Sequence, residues 1–482
     1  MSKTTRRAAQ AIRGTGRARA SKPAVNAAIV LAAGEGSRIW PYNEVRNKCA
    51  VPVANKAAVR HTVEALIAVG VKQIIAVVGE RKESIHHALG DLAEVRFVDQ
   101  GGGKGTANAT LAGLQKVEGE GAVLVVYGDV LCVEENFRAL LGEYAAKQPI
   151  AACLTADLEG EDGQDWICVS VHQGKVAGVV GHARSGRGLR MAGVYVLSPQ
   201  AIPYVRRNPG IVTSVPVGGM PPYEAELAQS IQMMVSEGRE VLAVEATHVC
   251  VDLDKPWHIT RANHEMVPYL FERLVASGKT MGKGAQIDES AEIRGQVVLA
   301  EGAVIGKRVV VDGHLYVGRN SRVVNGAMVR SAWVGEGSRV MDYCQLGGVV
   351  GDGCMVGHAT ELGGVIFDGV CIYHYGELSG VYGSKVDIGA ATVCGTLRFD
   401  DGSSVIEVKG RKEVPRRGAN CCFMGDYSRT GVNAILMPGV RVGCYSCVGP
   451  GVLVYKDVPS RTLVLAQQEL VTKPWGPEQY GW

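Results

Sequence analysis

Residues Leu31–Pro52 read LAAGEGSRIWPYNEVRNKCAVP and decide how the N-terminal half of the chain is interpreted. The apolar run before them, AAIV, has the composition of a short buried strand. The chain then passes through Gly34 and Gly36, and glycines let a backbone approach a ligand closely and direct its N–H groups at an anion. Arg38 and Lys48 add two positive charges a few residues later. A strand, a glycine turn and two cations in this order suit a nucleoside triphosphate.

Two known glycine-rich motifs do not fit this turn. A dinucleotide-binding fingerprint needs G-x-G-x-x-G, and Ile39 stands where the third glycine belongs. A Walker A loop needs G-x-x-x-x-G-K-[ST], which neither this turn nor the glycine-rich run Gly101–Thr106 supplies. A purely structural turn remains the alternative to a phosphate-binding one.

The turn and its flanks carry a more specific resemblance. The pattern L-A-A-G-x-G-x-R-x-x-P begins at Leu31, and Lys48 is followed by x-x-x-P. Both patterns are similar to the sugar-1-phosphate nucleotidyltransferase family, although the family's Arg-Pro-Lys-Pro is Arg-Asn-Lys-Cys here. The resemblance implies a Rossmann-like α/β domain in which Arg38 and Lys48 are catalytic. It also assigns nucleotide binding to residues of the turn, namely Leu31, Ala32, Gly34 and Gly36.

The composition limits the classes of function. The 482 residues suffice for two or three domains, and a net charge of +3 is too close to neutral to indicate a nucleic-acid partner. No apolar run approaches the roughly 18 residues that a membrane span needs. The 63 Gly and only 6 Phe favour a turn-rich repeat architecture. The 13 Cys are odd in number and scattered in apolar runs, as in a cytoplasmic protein with reduced, buried thiols.

Residues 1–25 differ from the rest of the chain because they are basic and rich in Ala, Arg, Ser and Gly. They lack the apolar segment of a secretory signal. Their composition favours a disordered, solvated tail. An Arg-rich organelle transit peptide is the alternative.

Between residues 26 and 130, apolar strand patterns alternate with helical patterns. This alternation predicts a parallel sheet with helices on both faces, and ligands at the carboxyl ends of its strands. The predicted strands are Gln73–Val78, Val95–Val98 and Ala122–Val126, and the predicted helices are Ala58–Val69, Ser84–Leu89 and Thr106–Leu114.

Two aspartates are candidate magnesium ligands. Asp129 follows the predicted strand Ala122–Val126, where a carboxylate can hold Mg²⁺ beside the phosphates of a nucleotide. A cap of a helix or turn is its alternative role, but the family places its magnesium aspartate in this Gly-Asp motif. The segment Val249–Asn263 resembles the family's closing segment, and Asp252 matches its second magnesium ligand. Asp254 is the fallback, or a cap for the helix that follows.

Gln100, Gly105 and Thr106 form the candidate base-binding element. A Gln side chain offers one acceptor and two donors, which match the amide edge of a pyrimidine. A Gln in a loop more often faces solvent, so the side chain alone is weak evidence. Its place before a Gly-Thr that opens a helix resembles the uracil- or thymine-binding element of the pyrimidine-specific members, which implies UTP or dTTP. Lys104 lies between these residues and could reach a phosphate.

The sugar site departs furthest from the family. Gly193 lies in a predicted strand, Met191–Val196, that resembles the family's sugar-binding strand, but its first residue replaces the family's Asn. We assign Gly193 and Glu224 to substrate binding. The family's Glu-Lys pair is replaced by Gly181–His182, so the sequence leaves the sugar undefined. Three nearby arginines could contact the phosphate instead, namely Arg184, Arg187 and Arg190.

In the second half of the chain, apolar residues recur every six positions. Neither a helix nor an ordinary strand has this period, whereas hexapeptide repeats build a β-helix with three short strands per turn and the aliphatic side chains inside. The pattern resembles the left-handed β-helix of hexapeptide acyltransferases, which implies a homotrimer. The repeat positions are Ile287, Ile293, Leu299, Ile305, Val311, Val317 and Val323, then Val334, Val340, Leu346, Leu436, Val442, Val448 and Val454.

His374 is the candidate catalytic residue of the repeat region. A His can act as a general base near neutral pH, and Glu377 lies close enough in sequence to orient it. The run Ile388–Asp401 resembles the archaeal-type bifunctional enzymes that make UDP-N-acetylglucosamine, which implies acetyl-CoA as a co-substrate. Their Asn is Thr396 here and their following lysines are absent, so several donor-site residues are altered. A structural His is the alternative.

Together the patterns predict a Rossmann-like α/β nucleotidyltransferase domain followed by a left-handed parallel β-helix. The expected segments are a basic tail over 1–25, the nucleotidyltransferase domain over 26–262, a helical linker over 263–282, the β-helix over 283–458 and a C-terminal tail over 459–482. The N-terminal half carries the triphosphate-binding pattern and the C-terminal half carries the repeat.

The expected activity is Mg²⁺-dependent transfer of a nucleotidyl group from an NTP to a sugar 1-phosphate. Acetyl-CoA-dependent acetylation of an amino-sugar phosphate by the β-helix is an open second activity. One alternative is a monofunctional enzyme whose β-helix only oligomerises. Another is a non-catalytic regulatory subunit that binds nucleotide sugars, because the sugar-pocket Glu, Lys and Asn are missing. We expect neither a nucleic-acid partner nor a membrane partner.

Overall fold

The computed structural model describes residues 25–102, 104–158, 161, 163–181, 188–210 and 224–480. The basic stretch up to residue 24 lies outside these ranges, and so do Arg184 and Arg187 near the predicted sugar site. Val25, the last residue of the predicted tail, is buried in the first strand. The described residues contain no helix that is long and apolar enough to cross a bilayer.

The α-helices of the described ranges belong mainly to the N-terminal domain. They are α1 (Ala58–Ala68), α2 (Lys82–Leu89), α3 (Thr106–Leu114), α4 (Glu134–Lys147), α5 (Ile202–Arg206), α6 (Leu227–Ser236), α7 (Pro256–Ala276) and α8 (Pro477–Tyr480). The three helices predicted between residues 26 and 130 are confirmed as α1, α2 and α3, with small differences at their ends.

The strands of the N-terminal domain are β1 (Val25–Ala32), β2 (Pro52–Val53), β3 (Lys56–Ala57), β4 (Gln73–Val78), β5 (Val95–Asp99), β6 (Ala122–Tyr127), β7 (Val130–Cys132), β8 (Ala151–Asp157), β9 (Ile167–His172), β10 (Lys175–Gly181), β11 (Leu189–Leu197), β12 (Val241–Glu245) and β13 (Cys250–Asp252). Nine of them form one sheet in the order β5-β4-β1-β6-β11-β8-β12-β10-β9. Strands β5, β4, β1 and β6 are parallel, as predicted, whereas β11 runs antiparallel to β6 and β8.

The carboxyl ends of the parallel strands meet at one edge of this sheet. The glycine turn follows β1, Gln100 follows β5 and Asp129 follows β6. Strand β13 pairs antiparallel with β7, which places Asp252 opposite Val130. The sheet topology therefore gathers residues from remote segments at the edge where open α/β sheets bind ligands.

The strands of the C-terminal region are mostly two residues long. They are β14 (Gln286–Ile287), β15 (Glu292–Ile293), β16 (Gln296–Leu299), β17 (Val304–Ile305), β18 (Val310–Val311), β19 (His314–Val317), β20 (Arg322–Val323), β21 (Met328–Val334), β22 (Arg339–Val340), β23 (Gln345–Val350), β24 (Met355–Val356), β25 (Glu361–Ile366), β26 (Cys371–Ile372), β27 (Glu377–Tyr382), β28 (Asp387–Ile388), β29 (Val393–Cys394), β30 (Ile406–Val408), β31 (Arg411–Glu413), β32 (Cys422–Met424), β33 (Arg429–Thr430), β34 (Ile435–Leu436), β35 (Arg441–Val442), β36 (Cys447–Val448), β37 (Leu453–Val454) and β38 (Leu463–Val464).

Apart from the β30–β31 hairpin, these strands wind into the predicted left-handed parallel β-helix. Val304 pairs with Arg322 eighteen residues later, Arg322 pairs with Arg339 seventeen residues later, and Arg339 pairs with Met355 sixteen residues later. One turn of the coil is therefore three hexapeptides long at first, shortens to sixteen residues, and is eighteen residues long again where Arg429 pairs with Cys447. This shortening explains why the six-residue period slips after Val323. The pairing continues to β38, past the predicted end of the coil at residue 458.

Aliphatic side chains at the repeat positions fill the centre of the coil. Ile305, Val323 and Val340 are fully buried there. Ile287 is an exception, because 38% of its surface remains exposed. It belongs to β14, the first strand of its face, so no earlier turn covers it.

The coil and the N-terminal domain share one apolar cluster. The coil contributes outward-facing side chains that lie in register on successive turns. Helix α7 spans the predicted boundary between domain and linker and adds Ile259 and Met266 to the same cluster. The other main members are Trp333, Val349, Val365, Val381 and Phe423 from the coil, and Ile39, Tyr42, Val51 and Val53 from the segment after the glycine turn.

Candidate active site

A cleft of about 920 Å³ opens at the carboxyl edge of the nine-stranded sheet. Ala32 does not line it, because successive side chains of a strand point to opposite faces and its methyl group is buried in the core. Twelve other residues predicted for the N-terminal domain line the cleft, namely Leu31, Gly34, Gly36, Arg38, Lys48, Gln100, Gly105, Thr106, Asp129, Gly193, Glu224 and Asp252.

The two glycines of the turn have different tasks. Gly36 has a φ of +65°, and a Cβ atom there would lie 2.8 Å from Cβ of Lys48. A Cβ atom on Gly34 would meet nothing within 4 Å, so this glycine leaves open space in the cleft. Gly34 therefore makes room at the cleft surface, whereas Gly36 makes room for the lysine that passes behind the turn.

Asn47 holds the turn in place. Its side-chain nitrogen donates to the carbonyl oxygens of Ala32, Gly34 and Glu80 at 3.1, 3.2 and 2.9 Å. Only 1% of its surface is exposed. Asn47 replaces the first proline of the family pattern, and sequence analysis recorded that change only as a departure. The structure shows that the amide joins the start of the glycine turn to the segment that follows β4.

Lys48 and Asp129 form an ion pair inside the cleft. Burial alone would lower the pKa of Lys48, but the attraction of Asp129, with Asp254 and Asp252, outweighs it and raises the pKa above its usual range. Lys48 therefore stays charged. Charges act strongly on one another in such a poorly solvated place, and the same field would act on a bound phosphate.

Asp252 lies beside Asp129. The backbone N–H of Leu253 donates to the carbonyl oxygen of Asp129 at 2.9 Å, which joins the two segments. Burial and the repulsion of Asp129 raise the pKa of Asp252 to about 7, although Lys48 opposes this. Asp129 is buried and Asp252 is half-buried, and a divalent cation between two such carboxylates would relieve their mutual repulsion.

The donor set suits Mg²⁺. This ion prefers hard oxygen ligands and is often held by one or two carboxylates together with substrate phosphates. Across the ranges that the structure describes, no three His, Cys, Asp or Glu side chains are arranged to hold an ion. Asp129 and Asp252 would be the ligands from the protein, and the phosphates of the nucleotide would complete the coordination.

Asp254, the fallback for a metal ligand, has another partner. Its carboxylate lies 3.0 Å from the guanidinium of Arg38. Burial alone would raise the pKa of Asp254, but Arg38, Lys48 and His258 lower it below its usual range. Asp254 is therefore an anion that positions Arg38, one of the two cations predicted to act on the phosphates.

The candidate base-binding element is joined to a second segment. Gln100 donates to the carbonyl oxygen of Gly105 at 3.3 Å. The hydroxyl of Thr106 donates to Glu226 at 2.9 Å and accepts from the N–H of Leu227 at 2.7 Å. Glu226 also lines the cleft, but no local motif points to it, so sequence analysis missed it.

The wall of the cleft beyond β11 carries Asp165 and Trp166, which sequence analysis also missed. Arg190 is stacked on Trp166, with its guanidinium carbon 4.4 Å from the ring centre, and only 2% of its surface is exposed. Arg190 is therefore a buried support of this wall and is not among the residues that line the cleft. The other two predicted arginines lie outside the described residues.

His374 lies apart from the cleft, exposed at a corner of the coil. It precedes Tyr375, which has a φ of +56°, and the two ring centres are 6.0 Å apart. Within the described part of the coil, no hydrogen bond or ion pair joins His374 to Glu377. The predicted orientation of the His by this Glu is therefore absent from the structure.

Comparisons with known proteins agree with this architecture. Residues 27–163 match the family described as nucleotidyl transferase. The bifunctional protein GlmU of Methanocaldococcus jannaschii is 25% identical over 462 residues, which cover 92% of this chain and 98% of the relative. The bifunctional sugar-1-phosphate nucleotidylyltransferase/acetyltransferase of Sulfurisphaera tokodaii is 25% identical over 450 residues, covering 89% of this chain and 98% of the relative.

A solved UDP-glucose pyrophosphorylase from Acinetobacter baumanii aligns over 53% of this chain and 100% of its own, at 20% identity and a TM-score of 0.43. The predicted resemblance is confirmed by the family match and by the two relatives, which cover both halves of the chain. The chain thus carries a nucleotidyl transferase domain followed by a left-handed β-helix, and over nearly its whole length it is similar to the bifunctional sugar-1-phosphate nucleotidylyltransferase/acetyltransferases.

Proposed function

We propose that the chain transfers a nucleotidyl group from an NTP to a sugar 1-phosphate in a Mg²⁺-dependent reaction that yields an NDP-sugar and pyrophosphate. The observation that carries the proposal is the convergence of Lys48, Asp129 and Asp252 in one cleft beside the glycine turn. The name of the Sulfurisphaera tokodaii relative and the nucleotidyl transferase match support the same activity.

In this reaction a phosphate oxygen of the acceptor forms a bond to the α-phosphorus of the NTP. The bond from that phosphorus to the bridging oxygen breaks, and the electron pair leaves with pyrophosphate. Lys48 and Arg38 offset the negative charge that develops on the phosphates, and the N–H groups of the turn at Gly34 hold them. Asp129 and Asp252 would hold Mg²⁺, which when bound would neutralise further charge on the phosphates. The protein contributes mainly position and electrostatic stabilisation.

We infer a pyrimidine nucleotide, UTP or dTTP, from the Gln100 amide at the end of the cleft where β5 ends. An amide that both donates and accepts complements the amide edge of a pyrimidine. Gly193, in β11, and Glu224, which precedes the Ala225 that is bonded to Lys104 and Ala107, both line the cleft and are the proposed contacts for the sugar.

The experiment is a pyrophosphate-release assay of the full chain over a matrix of four NTPs and several sugar 1-phosphates. We expect turnover with a pyrimidine nucleotide and Mg²⁺, and loss of turnover on addition of EDTA. Asp129→Ala should remain folded by circular dichroism and lose at least about 10²-fold in turnover. Release of pyrophosphate by Asp129→Ala at the wild-type rate would reject the metal site. No release by the wild-type chain in any cell of the matrix would favour the nucleotide-sugar-binding alternative.

Acetyl-CoA-dependent acetylation of an amino-sugar phosphate is the second candidate function. It is favoured by the β-helix and by the Sulfurisphaera tokodaii relative, whose name includes an acetyltransferase activity. We propose His374 as the general base. The test is acetyl-CoA consumption by His374→Ala, which should fall about 10²-fold. His358→Ala is the matched control, because His358 lies one turn earlier on the coil and contacts Tyr375. If the wild type consumes no acetyl-CoA, this second function is rejected and the coil is only an oligomerising domain.

We also propose that the coil assembles the chain into a homotrimer and that the protein works in the cytoplasm. The thirteen cysteines are all free, as suits a reducing compartment. Light scattering of the purified chain should give three times the monomer mass of 51.1 kDa. A monomer at micromolar concentration would reject the trimer.

A further inference from the structure

A hairpin of the coil reaches back to the nucleotidyl transferase domain. It consists of β30 and β31, which pair antiparallel through Ile406↔Glu413 and Val408↔Arg411, with Lys409 and Gly410 in the turn. Ile406 and Val408 are buried in the apolar cluster that the two domains share. The hairpin is thus anchored to both domains rather than projecting into solvent.

Two ion pairs fasten the hairpin beside the cleft. Glu413 pairs with Lys255, whose side chain is 3% exposed, and Arg411 pairs with Asp165 on the cleft wall. An unpaired charge at the site of Lys255 would be costly, so this contact holds the second strand of the hairpin firmly. The tip between the strands is therefore kept next to the wall formed by Asp165 and Trp166.

Lys409 lines the cleft from this tip. It is exposed, and within the described part of the chain its ammonium group forms no ion pair. The two cations near the glycine turn are already paired: Arg38 forms an ion pair with Asp254, and Lys48 forms one with Asp129. Lys409 is therefore a cation available to a ligand.

The sheet order shows which end of the cleft Lys409 serves. Strands β4 and β5 lie on one side of β1 and β6 in the sheet. Gln100 and Lys104 follow β5 in the sequence. Strands β11 and β9, with Trp166 before β9, lie on the other side. If Gln100 holds the base, the acceptor occupies the end near Trp166. Lys104 serves the nucleotide end, and Lys409 lies at the acceptor end.

We propose that Lys409, carried by the β-helix, binds the phosphate of the acceptor sugar 1-phosphate and so completes the acceptor site of the nucleotidyl transferase domain. The inference rests on the proposed function, because it names the acceptor as a sugar phosphate. An ammonium group on a flexible stem is a good point charge for a dianionic phosphate. The C-terminal domain would then be part of the active site and not only an oligomerising element.

The experiment compares four full-length proteins: wild type, Lys409→Ala, Lys409→Arg and the control Lys412→Ala. Lys412 is an exposed lysine of the same hairpin that does not line the cleft. We expect Lys409→Ala to raise the KM for the sugar 1-phosphate about tenfold, with the KM for the NTP unchanged. Lys409→Arg should recover most of this loss, and Lys412→Ala should match the wild type.

A binding measurement separates this inference from the proposed activity. Equilibrium dialysis of labelled glucose 1-phosphate and N-acetylglucosamine 1-phosphate needs no turnover. If the wild type binds one of them and Lys409→Ala binds it about tenfold less tightly, the inference stands even if no pyrophosphate is released. Equal KM and equal binding in wild type and Lys409→Ala overturn it while the activity remains. Absence of binding by the wild type, or a change confined to the KM for the NTP, also overturns it.

Discussion

In the cleft, three remote segments of the chain bring Lys48, Asp129 and Asp252 close together. His374, by contrast, is exposed at a corner of the coil. The charges of the cleft are poorly solvated, and each alters the pKa of another. His374 contacts Tyr375 and has no described bond to Glu377. The difference shows what a sequence motif needs before it becomes a site: other charged groups must be brought to it and shielded from water with it.

The two regions are also joined, because the segment that carries Lys48 is bound to the coil. Arg46 pairs with Asp426, and the hydroxyl of Tyr42 donates to the carbonyl oxygen of Val381 at 2.6 Å. The coil therefore supports the cleft, and a substitution that breaks this contact should destabilise both regions.

The largest effect on stability is expected from breaking that contact. Asp426 is fully buried, and its carboxylate lies 3.0 Å from Nη1 of Arg46. Arg46→Met leaves a buried carboxylate without its positive partner, with the backbone N–H of Ser384 still donating to it at 2.9 Å, and this should lower the free energy of unfolding by about 3–5 kcal/mol. Urea unfolding measures the change. Arg319→Met is the control, because Arg319 pairs with Glu336 on the exposed surface of the coil and should cost less than about 1 kcal/mol. Equal losses in the two variants would show that the contact is unimportant.

The next effect is catalytic and confined to the cleft. Lys48→Ala should reduce kcat for pyrophosphate release by about 10²–10³, because it removes a charge held against the reacting phosphates in a poorly solvated site. Steady-state kinetics at saturating substrate measure it. Lys56→Ala, which alters a half-exposed lysine paired with Glu64 nearby in sequence, should stay within about twofold of wild type. A small effect of Lys48→Ala would remove the lysine from the proposed mechanism.

A smaller effect concerns acid stability of the domain that bears the cleft. Burial lowers the pKa of His61 to about 4, with Lys56 also lowering it, while the bond to the Val53 carbonyl oxygen and Glu64 oppose the shift. The unfolded chain takes up this proton near pH 6.5, so the contribution of His61 to stability is complete above that pH and is lost as the pH falls toward 4.

His61→Gln keeps a donor for the Val53 carbonyl oxygen and removes the titration. Between pH 7 and pH 5, the wild type should lose about 2 kcal/mol more free energy of unfolding than this variant. Urea unfolding of both proteins at the two pH values measures the difference. Parallel losses in both proteins would assign the acid sensitivity to other groups.

The smallest effect is expected at the corner of the coil. His374→Ala removes an exposed side chain, so pyrophosphate release should stay within about twofold and the free energy of unfolding within about 0.5 kcal/mol of the wild type. The pyrophosphate assay and urea unfolding check both values. A large loss of pyrophosphate release would mean that the corner and the cleft communicate.

The folds of both halves could be predicted from local patterns. The alternation of strands and helices predicts β1, β4, β5 and β6 as parallel neighbours, because buried strands and amphipathic helices have distinct periods. The six-residue period predicts the coil, since each turn repeats the same inward position. Ile287 differs only because an end strand lacks a covering turn.

The contact between the halves left a signal that sequence analysis missed. Trp333, Val349, Val365 and Val381 recur every sixteen residues at positions that point out of the coil. An outward apolar stripe on a β-helix indicates a covered face. The segment that covers this stripe cannot be predicted in the same way, because its own apolar residues do not recur at a regular spacing in the sequence.

The sequence by itself determined the glycine turn, its lysine, the pair of aspartates and the coil, because each depends on a local pattern or on a resemblance quoted residue by residue. Only the tertiary structure decided that Gly36 makes room for Lys48, that Asp254 holds Arg38 and that Lys409 enters the cleft. These depend on contacts such as Arg46 with Asp426, which lie 380 residues apart and arise only when the two halves pack together. Packing of distant segments is set by the shape and charge of complete surfaces, which no local pattern contains.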